Sequence, residues 1–157
     1  MFVCSFKPKK KHFIFGGLAV VAAVCVICLF SCGRENSAAM KEMNLSAETN
    51  QERIAFLEHF GWTVKAEAAQ VKDIVIPAEF SDVYRKYNEI QIKQGFDLSK
   101  YCGKRVKQHV YIVTNYPEYN GEVRANLLVD SGRIIGGDIC SMKLDGFMHG
   151  FQMPSQK

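Results

Sequence analysis

Residues Val123–Ser141 read VRANLLVDSGRIIGGDICS, and the architecture follows from them. Val123, Ala125, Leu127 and Val129 alternate with polar or smaller partners, the period-2 pattern of a strand with one face turned to a core. Asp130-Ser131-Gly132 is a turn signal. Arg133-Ile134-Ile135 then opens a further strand. Gly136-Gly137 inside that strand marks a bulge or a close approach of another backbone. Two strands joined by a tight turn are antiparallel neighbours.

Working upstream, Val106–Tyr116 alternates as well, with Val106, Gln108, Val110, Ile112 and Thr114 on one face. Pro117-Glu118-Tyr119-Asn120-Gly121 separates it from Val123, and Asn-Gly is a strong hairpin signal. The last third is therefore read as an antiparallel meander. Before it, Thr49-Asn50-Gln51-Glu52 has the S/T-x-x-E form of a capping box. Ile54, Phe56, Leu57 and Phe60 follow on one broad helical side, and Gly61 is suited to the left-handed stop. This predicts a helix over Asn50–Phe60. Trp62–Ala66 and Val71–Ile76 read as strands, the second ending at Pro77. A second helix is expected from about Ala78 to Gln94, with Phe80, Val83, Tyr84, Tyr87 and Ile90 as its core stripe. Phe96–Lys104 reads as a loop. The expected fold class is α+β: an N-terminal membrane helix, then two helices packed on one face of a mainly antiparallel four- to five-stranded sheet ending in a β-meander.

The first third of the chain has a different character. Phe13–Phe30 reads FIFGGLAVVAAVCVICLF without a charge, directly after Lys7-Pro8-Lys9-Lys10-Lys11. As a helix, its eighteen residues span roughly 27 Å at about 1.5 Å each, close to the ~30 Å hydrocarbon core of a bilayer. All sixteen acids lie after Gly33, and so do sixteen of the twenty lysines and arginines. The distal part is thus neutral, and the formal +4 of the 157-residue chain belongs to the basic cluster. That cluster is a topology signal, since positive flanks stay cytoplasmic. The expected organisation is a basic cytoplasmic N-terminus (1–11), an anchor (12–33), a polar linker (34–48) and an extracytoplasmic domain (49–154). Three fates are open for the apolar run. The first is an uncleaved single-pass helix. The second is lipoprotein processing at Cys32, because Leu29-Phe30-Ser31-Cys32 resembles a lipobox apart from its bulky Phe30. The third is cleavage near Ser37-Ala38-Ala39. The membrane is the expected partner, together with an envelope protein or peptide. No nucleic acid is expected, since the distal part carries no net positive charge.

Chemistry-bearing residues concentrate near the C-terminus. Asp138, Cys140, Asp145 and His149 form the sharpest cluster, in which Cys140 and His149 are the weak catalytic candidates for a histidine-activated thiol. The competing reading is a half-buried strand cysteine and a loop histidine. Cys102 and Cys140 are the two cysteines of the globular part and form a disulfide candidate. A loop of that length would contribute about 4 kcal/mol. His59, His109 and His149 are scattered singly, so neither metal nor other cofactor is expected. Phe147, Met148 and Phe151 lie in the glycine-flanked segment GFMHGF. They either close the core or form an apolar lip for a ligand or partner.

Three blocks carry a family resemblance: ERIAFLEHFGWTV (Glu52–Val64), IVIPAEFSDVYRKYNEIQIKQGFDLSKYCGK (Ile74–Lys104) and NLLVDSGRIIGGDICSMKLDGFMHGF (Asn126–Phe151). Together they resemble the bacterial family called domain of unknown function 4830. The resemblance implies a Gram-positive source and a short N-terminal membrane anchor. It implies no activity and brings no catalytic residues. The functional expectation is a membrane-anchored extracytoplasmic protein, a non-enzymatic binding or regulatory module. The alternative is a small envelope enzyme or thiol-redox protein using Cys140 and His149.

Overall fold

A computed structural model describes residues 43–154. The basic cluster, the apolar run and the lipidation candidate Cys32 lie outside the described residues. No helix among those described is long and apolar enough to cross a membrane.

Helix α1 (Asn50–His59) starts where the sequence places it. The Thr49 side chain accepts from the Glu52 amide, and the Glu52 carboxylate accepts from the Thr49 amide. These two bonds satisfy amides that the first turn leaves without partners. Gly61 follows with φ +86°. Strand β1 (Gln70–Val75) comes next, then α2 (Asp82–Lys93) and a short 3-10 helix over Leu98–Tyr101. The chain ends in β2 (Arg105–Val113), β3 (Val123–Asp130), β4 (Arg133–Ser141) and the two-residue β5 (Met148–His149). The five strands pair antiparallel in simple chain order, β1-β2-β3-β4-β5.

The turns explain the register. Ser131 and Gly132 have φ of +49° and +74° between the paired residues Asp130 and Arg133, as a two-residue primed hairpin turn requires. The register shifts between Leu128 and Val129: Leu128 faces Gly136 and Val129 faces Ile134, so Ile135 is the extra residue of a bulge. The expected Asn120-Gly121 hairpin turn is not formed. Neither residue has positive φ, and the connection runs over residues 114–122 as a longer loop, with Tyr119 lying against Gly121.

Several expectations need correction. Trp62–Ala66 is not a strand; it makes only an isolated bridge, Val64 to Val113, because Trp62 turns fully into the core. Helix α2 begins at Asp82, not Ala78, since the Ser81 hydroxyl caps the Tyr84 amide. Its inward stripe is also rotated: Val83 is 79% exposed, whereas Asn88 and Gln91 are buried. The folded part starts before Thr49, because Leu45 and Ala47 are buried and Ser46 bridges Arg133.

The largest correction concerns the layers. Leu127 and Leu128 are consecutive in β3 and so point to opposite faces. Leu127 packs with Phe56, Leu57, Trp62, Tyr111, Ile139 and Phe151, the core under α1. Leu128 packs with Ile76, Leu98, Val106, Ile135 and the α2 tyrosines Tyr84 and Tyr87. The two helices therefore cover opposite faces, and the sheet is buried between them, where a single-face arrangement was expected. This accounts for β3 and β4 being buried at nearly every position.

The outer edge of β4 is covered in three places. The Ile134 amide donates to the Leu45 carbonyl and the Ala47 amide to the Gly132 carbonyl. Gln91 Oε1 accepts from the Gly137 amide, and Gln94 Nε2 donates to the Gly137 carbonyl. Strand β5 pairs with Ile139 and Cys140. Covering an edge in this way blocks pairing with other chains.

On the α1 side of β2, His109 is 7% exposed and its Nδ1 has no partner among the described residues. Burial, and then the positive charges of Arg53 and Lys107, push its pKa down from 6.5 to about 4. The native state therefore holds His109 neutral, whereas the unfolded chain protonates it near pH 6.5. The corresponding stability is present above pH 6.5 and is lost as pH falls toward 4, by about 3 kcal/mol for a shift of this size. Urea titrations between pH 7 and 4 should show this decline, and His109→Gln should flatten it.

Candidate functional site

The buried polar groups converge where α2 crosses β3 and β4. Tyr87 Oη donates to Asp138 Oδ1 at 2.8 Å, and Asn126 Nδ2 donates to Asp138 Oδ2 at 2.8 Å. Asn126 Nδ2 also lies 3.3 Å from Cys140 Sγ. Gln108 Nε2 reaches Asn126 Oδ1 at 3.4 Å, extending the network onto β2. Gln108, Asn126, Asp138 and Cys140 share the α2-facing side of three adjacent strands. Asp138 is 2% exposed. Burial raises its pKa, against the bonds from Asn126 and Tyr87, which favour the charged form. The same burial, with the Asp138 charge beside it, pushes the Tyr87 phenol well above its ordinary value.

Sequence reading placed Asp138, Cys140, Asp145 and His149 in one cluster. The structure brings together only the first two. Cys140 pairs with Met148, and Ile139 pairs with His149. Directly opposed residues of an antiparallel pair share a face, and neighbours along a strand do not. His149 therefore lies with Ile139 on the α1 side, and Cys140 on the α2 side. His149 Nε2 is 3.1 Å from Tyr116 Oη, its Nδ1 is 2.6 Å from the Gly150 carbonyl, and its ring stacks on Phe147. In the neutral ring, Nδ1 carries the proton and Nε2 accepts from Tyr116. Asp145 is exposed in the β4–β5 loop. The catalytic pair Cys140–His149 is thus separated by the sheet itself.

Cys140 is also poorly suited to nucleophilic attack. Burial, and then the Asp138 charge, push its pKa up from 9.0 to about 11. Cys102 and Cys140 both stand as free thiols in the structure. Cys102 is exposed beside Tyr84, Cys140 sits beside Tyr87, and the two tyrosine rings are 5.7 Å apart. Alkylation with iodoacetamide near pH 8, followed by peptide mapping, should label Cys102 readily. Cys140 should label about 100-fold more slowly than an ordinary thiol, in line with its smaller thiolate fraction, and denaturation should abolish that protection.

The terminal aromatic segment divides by residue. Phe151 is fully buried, edge-on to Phe56 at 5.0 Å, and its carbonyl accepts from Trp62 Nε1 at 2.5 Å. Phe147 stacks on Tyr116 at 4.5 Å, and Tyr116 in turn stacks on Trp62 at 5.5 Å. Only Met148 of the proposed lip is largely open. Among the described residues, no group of three or more His, Cys, Asp or Glu side chains is arranged to hold a metal ion.

Sequence reading missed Asn88, Gln91, Gln94 and Asn126. Asn88 Oδ1 accepts from the Leu98 amide, and Gln94 Oε1 accepts from the Phe151 amide. Their spacing was a usable signal. Residues 88, 91 and 94 recur at three-residue intervals on a helix, where an inward polar stripe implies backbone partners.

The model of the family described as Domain of unknown function (DUF4830) matches residues 56–139, more than half of the chain. The chain belongs to this family. The DUF4830 match takes in the last turn of α1, from Phe56, and everything after it through Ile139, and so includes Asn126, Asp138 and the α2 polar stripe. It stops before Cys140 and the GFMHGF segment, which carried part of the resemblance seen in the sequence. No curated protein and no solved structure matches this DUF4830 chain.

Proposed function

We propose that the chain is a membrane-tethered extracytoplasmic module that binds or regulates another envelope component and performs no catalysis. The observation that carries this reading is the partition of charge: a lysine cluster, an uncharged run of eighteen residues, then every acid in the chain. A helix of that length matches a bilayer core, and the basic flank holds the N-terminus inside. Lipid attachment at Cys32 would place the domain on the same outer face. The geometry supports a binding role over the thiol-enzyme alternative. Cys140 and His149 lie on opposite faces of the sheet, and the buried carboxylate Asp138 is engaged by Tyr87 and Asn126.

The test is protease added to intact protoplasts carrying the chain with a C-terminal tag. Loss of the tag, with the N-terminus retained, is expected. Full protection of the tag, with digestion only after lysis, would reverse the topology and overturn the reading.

A further inference from the structure

The two edges of the sheet are treated differently. The β4 edge is covered by Leu45–Ala47, by the two glutamines of α2 and by β5. At the other end, β1 pairs with β2 alone. The Ile76 amide donates to the Lys104 carbonyl, and the Ala69 amide to the Val110 carbonyl. With the register Gln70 to Val110 through Val75 to Arg105, the even-numbered residues of β1 face inward. Val71, Asp73 and Val75 then direct their N–H and C=O groups outward, and none of these finds a partner among the described residues. Their side chains are open too: Val71 is 53% and Val75 57% exposed. Such an edge is a template for another strand.

The surrounding charge selects the occupant. Lys72 lies on β1, and Lys104, Arg105 and Lys107 lie along or just before β2. Asp73 pairs with Lys107 at 3.3 Å, and Asp130 with Lys104 at 3.6 Å. Lys72 and Arg105 have no acidic partner among the described residues. A second copy of the chain suits this edge poorly. Antiparallel self-pairing about the middle of β1 sets either Lys72 against Lys72 or Asp73 against Asp73, and directly opposed like charges are destabilising.

We propose that β1 is a docking strand that accepts an extended, acidic segment of a partner protein as a sixth strand. Main-chain bonds to Val71, Asp73 and Val75 would supply affinity. Lys72, on the α2 side with Gln108, would select acids on that face of the added strand, and Val71 and Val75 would contact the apolar residues on its opposite face. The inference rests on the reading of the chain as a binding module and names the partner chemistry.

The probe is a fluorescein-labelled eight-residue peptide alternating glutamate and valine, titrated against the full chain in detergent micelles and read by anisotropy. Saturable binding is expected, with at least tenfold weaker binding of the matching lysine–valine peptide. Val71→Pro removes one outward donor and no inward bond, and should weaken binding about fivefold or more while leaving the thermal midpoint within a few degrees. Lys72→Glu leaves the backbone intact and should weaken it at least fivefold. Absence of binding, or equal binding by both variants, would overturn the proposal. So would a peptide-free dimer that Val71→Pro dissolves, since the edge would then belong to a second copy. The protoplast experiment reads topology alone, so failure here leaves the tether standing, and failure there leaves the peptide titration interpretable.

Discussion

Replacing Phe151 with alanine is expected to remove about 3–5 kcal/mol of stability, the range for deleting a buried phenylalanine. The residue lies six positions before Lys157, yet it is fully buried in the α1-side core. Its ring meets Phe56 at 5.0 Å, Phe60 at 5.5 Å and Phe96 at 6.2 Å. Its backbone ties down two further segments. Its carbonyl accepts from Trp62 and its amide donates to Gln94, the residue that ends α2. Loss of the ring leaves a cavity at the meeting point of α1, the end of α2 and the sheet. For a domain of this size, each 1 kcal/mol lowers the thermal midpoint by about 4–8 °C. The variant should therefore melt at least about 12 °C lower, as followed by near-UV circular dichroism. A shift below about 3 °C would show that the segment is not a core element.

The second large effect is expected at Gly137. A Cβ built there runs into the Asn126 carbonyl oxygen and the ring of Phe151. The first obstacle is main chain of the neighbouring strand and cannot swing aside. Gly137→Ala should cost about 3 kcal/mol, at the upper end of ordinary overpacking, and should loosen the β3–β4 pairing. Gly103→Ala is the informative comparison. Both positions have positive φ, at +155° and +74°, but a Cβ at Gly103 meets nothing within 4 Å. Its cost should be only the backbone strain of a left-handed residue, about 1–2 kcal/mol. Urea midpoints of the two variants separate the steric contribution from the conformational one. Equal midpoints would mean that the close approach to Asn126 is relieved at no cost.

Glycine at 137 was legible as a place where another backbone comes near, but what approaches it was not. The same division holds for α2. Its existence and its glycine stop follow from local pattern, since Ser81 caps it and Gly95 leaves it with φ +87°. Its inward face does not, because the sheet offers α2 both an apolar surface and the open backbone groups of Gly137. Gln91 and Gln94 satisfy those groups, at positions where apolar periodicity pointed to Val83 and Ile90. A buried amide that serves a distant strand gives only a weak mark in sequence.

The candidate site teaches the same lesson more sharply. Cys140 and His149 are nine positions apart, close enough to meet across a turn. Whether they do depends on parity. Shifting the β4–β5 pairing by one residue would put them on one face; the observed pairing puts Met148 beside Cys140 and His149 beside Ile139. Strand register is set by the packing of Phe147 and Phe151 against residues far away in the chain. Local spacing could not choose between the two outcomes.

By itself, the sequence determined the features that depend on neighbours a few residues apart. These are the Thr49 capping box, the Ser131-Gly132 turn, the alternating strands of the meander, the glycine irregularity in β4 and the membership in the DUF4830 family. Only the tertiary structure decided which face each helix covers, which edge is closed and which is open, and that Cys140 meets Asp138 but not His149. Those outcomes rest on pairings between residues tens of positions apart. They are settled by the simultaneous burial of two sheet faces and the need to bond every enclosed backbone group.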